Sequence, residues 1–174
     1  MVEHRTAAWH WSRDYGDGIV DPRDPRLVAV ASVRGRECLL HWACAAAFRS
    51  LAAQWHEAYP DLPPLLVASG WRAHRWASRE QYEAHLIQRY GSVAVGRVWL
   101  AYRSAHETGL ALDLGSPPPM RPDKRWVETQ RQSNVYAWLA AEMQARGFRW
   151  YVPEPWHLEC PVPAAAWQAV GPEG

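Results

Sequence analysis

Residues 110–114 read Leu-Ala-Leu-Asp-Leu, and on a strand this alternation sends Leu110, Leu112 and Leu114 to one face and Ala111 and Asp113 to the other. One face is greasy, and the opposite one carries a lone carboxylate beside a methyl group. Upstream, Leu39, Leu40, Ala43, Ala47, Leu51 and Trp55 recur at intervals of three and four, which predicts a helix over Glu37–Tyr59 that Pro60 ends. LLVASGW, residues 65–71, predicts a short apolar strand stopping at Gly70. A second helix is expected from Ser78, with Gln81 placed for a capping box, to Tyr90 before Gly91. Residues 92–103 fit either strand or loop. SPPPMRPDKR reads as a proline-rich surface loop, and a third helix from Ser133 to Arg146 closes on Gly147. FRWYVPEPWHLEC is aromatic and β-favouring but broken by Pro153 and Pro155, so regular pairing is not expected there.

Residues 1–35 read as irregular, with the turn-rich stretch YGDGIVDPRDP in the middle. No repeat or linker interrupts the chain. Helices mixed with short strands, without βαβ regularity, predict an α+β fold around a small antiparallel sheet. A length of 174 residues predicts one domain over 1–174, with its core at about 37–160.

Composition narrows the classes. A formal charge of +1 gives no reason to expect nucleic acid or an anionic membrane as partner. No apolar run is long enough to span a bilayer, and MVEHRTAAWHW lacks the apolar centre of a signal peptide. The 12 tryptophans are read mainly as core. Three cysteines without a CxxC pair make neither a disulfide framework nor a zinc knuckle. Cys38 and Cys44 are expected as buried thiols in the first helix.

The carboxylate on the polar face of 110–114 needs a partner, and PEPWHLEC supplies one. His106, Asp113 and His157 together offer two imidazoles and a carboxylate, a normal ligand set for catalytic zinc with water in the fourth position. Glu154 lies three residues before His157, and a bulge or bend at Pro155 would bring both side chains to one side. As a carboxylate outside the ligand set, Glu154 suits a proton shuttle between water and a leaving amine. Each residue also has an ordinary structural reading: a hydrogen-bonded histidine, a turn aspartate, a solvated glutamate.

The context of these residues is more specific. SAHETGLALDLG with EPWHLE resembles the SxHxxGxAxD and ExxH signatures of the LAS-type zinc peptidases. These are D-alanyl-D-alanine carboxypeptidases and dipeptidases of the VanY and VanX kind, and L-alanyl-D-glutamate endopeptidases of phage lysis. The first signature matches at Ser104, His106, Gly109, Ala111 and Asp113, and the second at Glu154, Trp156 and His157. VASGWRA, residues 67–73, is similar to the family's strand ending in SGYRS.

The resemblance implies one Zn2+ held by His106, Asp113 and His157, with Glu154 as base. It also implies that Arg72 stabilises the oxyanion and that Ser104 helps hold the substrate, although Ser104 also reads as a cap hydroxyl. A hedgehog/DD-peptidase-like fold follows, with a peptidoglycan stem peptide or muropeptide as partner and a monomer as the expected state. A cell-wall substrate would place the protein in the periplasm, outside the cell or with a phage. Gly109 is expected to allow the entry into the strand, and Trp156 to brace His157. Trp71 and Ala73 depart from the family's strand. Glu159 is expected in water, Cys160 as a buried thiol and His74 as a weaker pocket candidate. His4, His10, His41, His56 and His85 carry no assignment. The hedgehog signalling domain, which keeps zinc while serving recognition, supplies the rival reading of a binding module. A metal-free structural domain is the third.

Overall fold

The computed structural model describes residues 15–171, which form an α+β fold. Strand β1 (Leu27–Val30) pairs antiparallel with β2 (Cys38–His41), and helix α1 (Trp42–Ala58) starts directly after β2. The expected helix from Glu37 is therefore corrected. Its first residues are a strand, because Cys38–His41 pairs its backbone with β1, placing Leu40 and Cys38 opposite the β-branched Val28 and Val30. Strand β1 also corrects the irregular reading of residues 1–35, of which 1–14 lie outside the described residues.

His41 ends the strand and caps the helix, its ring accepting from Ala43 N at 3.2 Å. In α1 the buried residues Cys44, Phe48, Leu51 and Trp55 are spaced four, three and four, the stripe that faces the core.

Strand β3 (Leu66–Ser69) follows, then α2 (Arg79–Tyr90), capped by Ser78, whose Oγ accepts from Gln81 N at 3.2 Å. The reciprocal bond of the expected capping box shifts by one residue, since Gln81 Oε1 accepts from Ala77 N rather than from Ser78 N. Residues 92–103, read as strand or loop, contain a helix, α3 (Val93–Trp99). Ser92 caps it, and Gly96 lets it pack on α2, where a Cβ would press into the Leu86 side chain. Tertiary contact and a cap here override the β preference of the valines.

Strand β4 (Ala111–Ser116) is central in a four-stranded antiparallel sheet of order β3-β4-β6-β5, with β5 (Arg149–Trp150) and β6 (His157–Glu159). Helices α4 (Val127–Arg131), α5 (Asn134–Glu142) and α6 (Ala164–Gln168) complete the chain. Ser133 caps α5, and a 3₁₀ turn at Gln144–Arg146 ends on left-handed Gly147. Leu110, Leu112, Leu114 and Leu158 lie fully buried in the main core, which also takes in α1 residues Phe48 and Leu51. No helix among the described residues is long and apolar enough to cross a membrane.

Candidate metal centre and active site

Register places the first two donors. Asp113 of β4 stands directly opposite His157 of β6, and Ala111 stands opposite Glu159. Residues two apart on a strand share a face, so Ala111, Asp113, His157 and Glu159 occupy one side of the sheet while Leu112 and Leu158 occupy the other. The small side chain of Ala111 faces the position from which Glu159 reaches its neighbour.

The third donor comes from a 3₁₀ turn, Ala105–Thr108, just ahead of β4. Ser104 Oγ accepts from His106 N at 3.4 Å, and Glu107 Oε1 accepts from Ser104 N at 2.9 Å, closing a capping box. Gly109 ends the turn at φ +73°, and a Cβ there would meet His41 N at 2.8 Å. This position therefore requires glycine for both its backbone angle and its close approach to β2.

The three donors converge in the interior. His106, Asp113 and His157 offer ligand atoms within 4.8 Å of one another, and all three residues are buried. His106 Nδ1 donates to Gly70 O at 2.7 Å. A carbonyl can only accept, so this bond fixes the proton on Nδ1 and leaves a lone pair on Nε2. That Nε2 is buried without a hydrogen-bond partner and lies 3.4 Å from Asp113 Oδ1. Burial pushes His106 below the usual imidazole range, more than the neighbouring Asp113 can offset, so the neutral ligand form is favoured.

His157 is wired differently. Its Nδ1 lies 2.9 Å from the same Asp113 Oδ1, and its Nε2 lies 3.1 Å from Glu159 Oε1. Burial opposes the imidazolium, yet the bonds to Asp113 and Glu159 together push His157 up to about 9. Burial would likewise raise the Asp113 carboxyl, but His106 and His157 outweigh it and hold it well below the usual carboxylate range. A divalent ion entering here must displace the Nδ1 proton, while Nε2 keeps donating to Glu159. That is the carboxylate–histidine–metal arrangement in which an outer acid fixes ring and tautomer.

A lone pair and a carboxylate oxygen facing each other in the interior, with a second imidazole alongside, are a cavity for a cation. Two imidazoles and one carboxylate suit zinc. These residues can therefore hold one divalent metal ion through His106 Nε2, an Asp113 oxygen and His157 Nδ1.

The expectation that Glu159 sits in water is corrected: it is 1% exposed. His74 is corrected too. Its Nδ1 pairs with buried Glu107 at 3.0 Å, and its ring stands edge-on to Tyr102, so it supports the Ser104–His106 turn from behind. Cys160 is buried as expected, beside Cys44. Cys38 lies on a strand rather than a helix, and His41 is a buried cap. His56 is exposed and His85 half-buried on helix surfaces, while His4 and His10 lie outside the described residues.

A cavity of about 670 Å³ opens over the donors, walled by Arg72, Ser104, Glu154, Tyr151, Trp99 and Lys124 among others. Two consecutive turns, Glu154 N to Tyr151 O and His157 N to Glu154 O at 2.9 Å each, fold PEPW back so that Glu154 reaches this cavity beside His157. Arg72 follows β3, its amide held by His106 O at 3.3 Å, and its exposed guanidinium has no ion pair among the described residues. Ser104 stands on the same wall with its hydroxyl engaged as the cap. Trp156 is buried beside His157 and passes its carbonyl to Leu114 N at 2.8 Å.

Four functional neighbours escape the sequence reading: Glu107, Tyr151, Lys124 and Trp99. Glu107 alone leaves a local signal, the Ser-x-x-Glu spacing from Ser104.

No family model matches the chain, and no curated protein matches its sequence. Two solved structures are similar at 18% identity and a TM-score of 0.48 each. One is a Zn(II) complex of a mutant of the vancomycin resistance D,D-pentapeptidase VanY from a VanB-type resistance cassette, covering 86% of this chain and 89% of that one. The other is VanYB in complex with D-alanine-D-alanine, covering 85% of this chain and 87% of that one.

Proposed function

We propose that this protein is a zinc peptidase that hydrolyses an amide bond in peptidoglycan peptides, acting as a D-alanyl-D-alanine carboxypeptidase. The observation that carries the proposal is the buried donor set of His106, Asp113 and His157, opening on one cavity with Arg72 and Glu154 on its wall. The resemblance of SAHETGLALDLG, EPWHLE and VASGWRA to the LAS-type signatures supports the same chemistry and the same roles.

Zinc held there would supply Lewis acidity and bring the pKa of a bound water towards about 7. The chain's own residues do the rest. Glu154 takes the proton from the attacking water and delivers it to the leaving nitrogen. Arg72, with no ion pair among the described residues, turns its guanidinium to the carbonyl oxygen as negative charge develops. Asp113 and Glu159 hold the His157 ring, and Gly70 O holds the His106 ring. Ser104 fixes the turn that presents His106 and borders the bound peptide. A cell-wall substrate places this activity in the periplasm, outside the cell or with a phage.

The test is to incubate zinc-loaded protein with purified muropeptides and weigh the products. Loss of one terminal alanine is expected. Cleavage after L-Ala would instead identify an L-alanyl-D-glutamate endopeptidase, and intact substrate with zinc bound would identify a binding module. Glu154→Ala should keep its zinc and lose about 10²–10⁴-fold in turnover, the usual weight of a positioned acid–base group.

A further inference from the structure

Lys124 is a cation on the cavity wall that the peptidase chemistry above leaves unused and that lies against Glu154, and its surroundings are built. The loop that carries it is tethered by buried Met120, by Gln130 Nε2 donating to Arg121 O at 2.9 Å, and by Ser116 Oγ donating to Pro64 O at 2.8 Å. Asp123 then caps the turn Lys124–Trp126, accepting from Arg125 N at 3.0 Å. From this footing the Lys124 ammonium reaches into the cavity, 3.4 Å from Glu154 Oε1 and 4.8 Å from the centre of the Trp99 ring. Three separate segments meet there: the proline-rich loop, the end of α3 and the turn before β6.

An ammonium against the residue that shuttles protons needs a reason. The pair is 41% and 24% exposed on its two sides, and pairs so open to water are weak. Exchanging Glu154 for another carboxylate therefore costs little. The position of that carboxylate follows from the reaction. Glu154 must touch the leaving nitrogen. When the leaving group is one amino acid, its free carboxylate sits two bonds beyond that nitrogen, less than one Cα–Cα step of about 3.8 Å. A cation in contact with Glu154 therefore faces it. The Trp99 ring holds the ammonium in place from the other side. A leaving group that continued as a longer peptide would offer a neutral amide at this point and gain no ion pair, leaving a weaker bond than one in which both partners are charged.

We propose that Lys124 reads the free terminal carboxylate of the substrate, exchanging its bond to Glu154 for one to the peptide and so releasing Glu154 to act. This rests on the peptidase reading for the position of the peptide. It assigns specificity to a residue of the loop rather than to the metal-binding strands, and it selects a chain terminus over an internal bond.

The test compares two ligands that cannot be hydrolysed: the reduced-amide analogue of D-Ala-D-Ala and the C-terminal carboxamide of that analogue. Binding to zinc-loaded protein is measured by calorimetry. The free acid should bind about 10- to 100-fold tighter than the carboxamide, the range for one hydrogen bond to a charged group. Lys124→Met should abolish this preference and Lys124→Arg should keep it, both with unchanged zinc affinity, since the side chain is exposed and touches no metal donor. Equal binding of the two ligands by the unmodified protein, or a preference that survives in Lys124→Met, would overturn the proposal. A zinc-loaded protein that shows the preference but cuts no muropeptide would sink the peptidase reading and leave the carboxylate site standing.

Discussion

The floor and the rim of the cavity are built by opposite means. On the floor, Asp113, His157 and Glu159 sit on paired strands, and His106 sits in a turn locked by Ser104 and Glu107. The side chains of His106, Glu107, Asp113, His157 and Glu159 are buried, and each is held by at least one short polar contact. On the rim, Arg72, Lys124, Glu154 and Trp99 project from loops and helix ends and are partly or largely exposed. The floor is a fixed frame whose electrostatics are set before any ligand arrives, and the rim holds groups whose partners can be exchanged. A site divided in this way can keep its metal chemistry while its choice of substrate changes.

Substitutions can break or sharpen that division. The largest effect should come from the floor: His157→Ala removes a donor and should weaken zinc by more than roughly the 100-fold expected of an outer partner, with turnover lost in proportion to the metal. Chelator competition checks the affinity. On the rim, Arg72→Ala should leave zinc affinity unchanged and lower kcat by about 10²–10³-fold, as for a lost oxyanion donor. If Arg72→Ala released the metal, rim and floor would not be separate parts. The smallest of the three should be Glu159→Gln, which keeps the shape and removes the charge that steadies His157, costing about 10–100-fold in zinc affinity. An unchanged zinc affinity in that variant would mean that strand pairing alone orients the ring.

The three metal donors, Arg72 and Glu154 are legible in the sequence, and the side chains that surround them much less so. The alternation at 110–114 identifies β4 and the orientation of Asp113, because period two over five residues in a buried strand has no helical counterpart. The burial of Glu159 is not legible, because a three-residue strand after two prolines carries too short a pattern to reveal which face is buried. Leu39 and Leu40 fit the helical stripe as well as they fit β2, and only the pairing with β1 decides between them. Val93–Trp99 carries strand-like valines, and its cap and its packing on Leu86 make it a helix. Lys124 and Glu154 lie thirty residues apart, and no local spacing joins a proline-rich loop to a distant turn. Glu107 leaves the Ser-x-x-Glu spacing of a capping box, but that spacing does not reveal its second contact, with His74.

The direct opposition of Asp113 and His157 has a consequence during folding as well. Sliding β6 by one residue along β4 would rotate an imidazole into the leucine side and bring an aliphatic group to the ion's position. Only the native alignment can capture the metal, so uptake inspects the assembly of the sheet, and mispaired chains are left without the cation that would consolidate them.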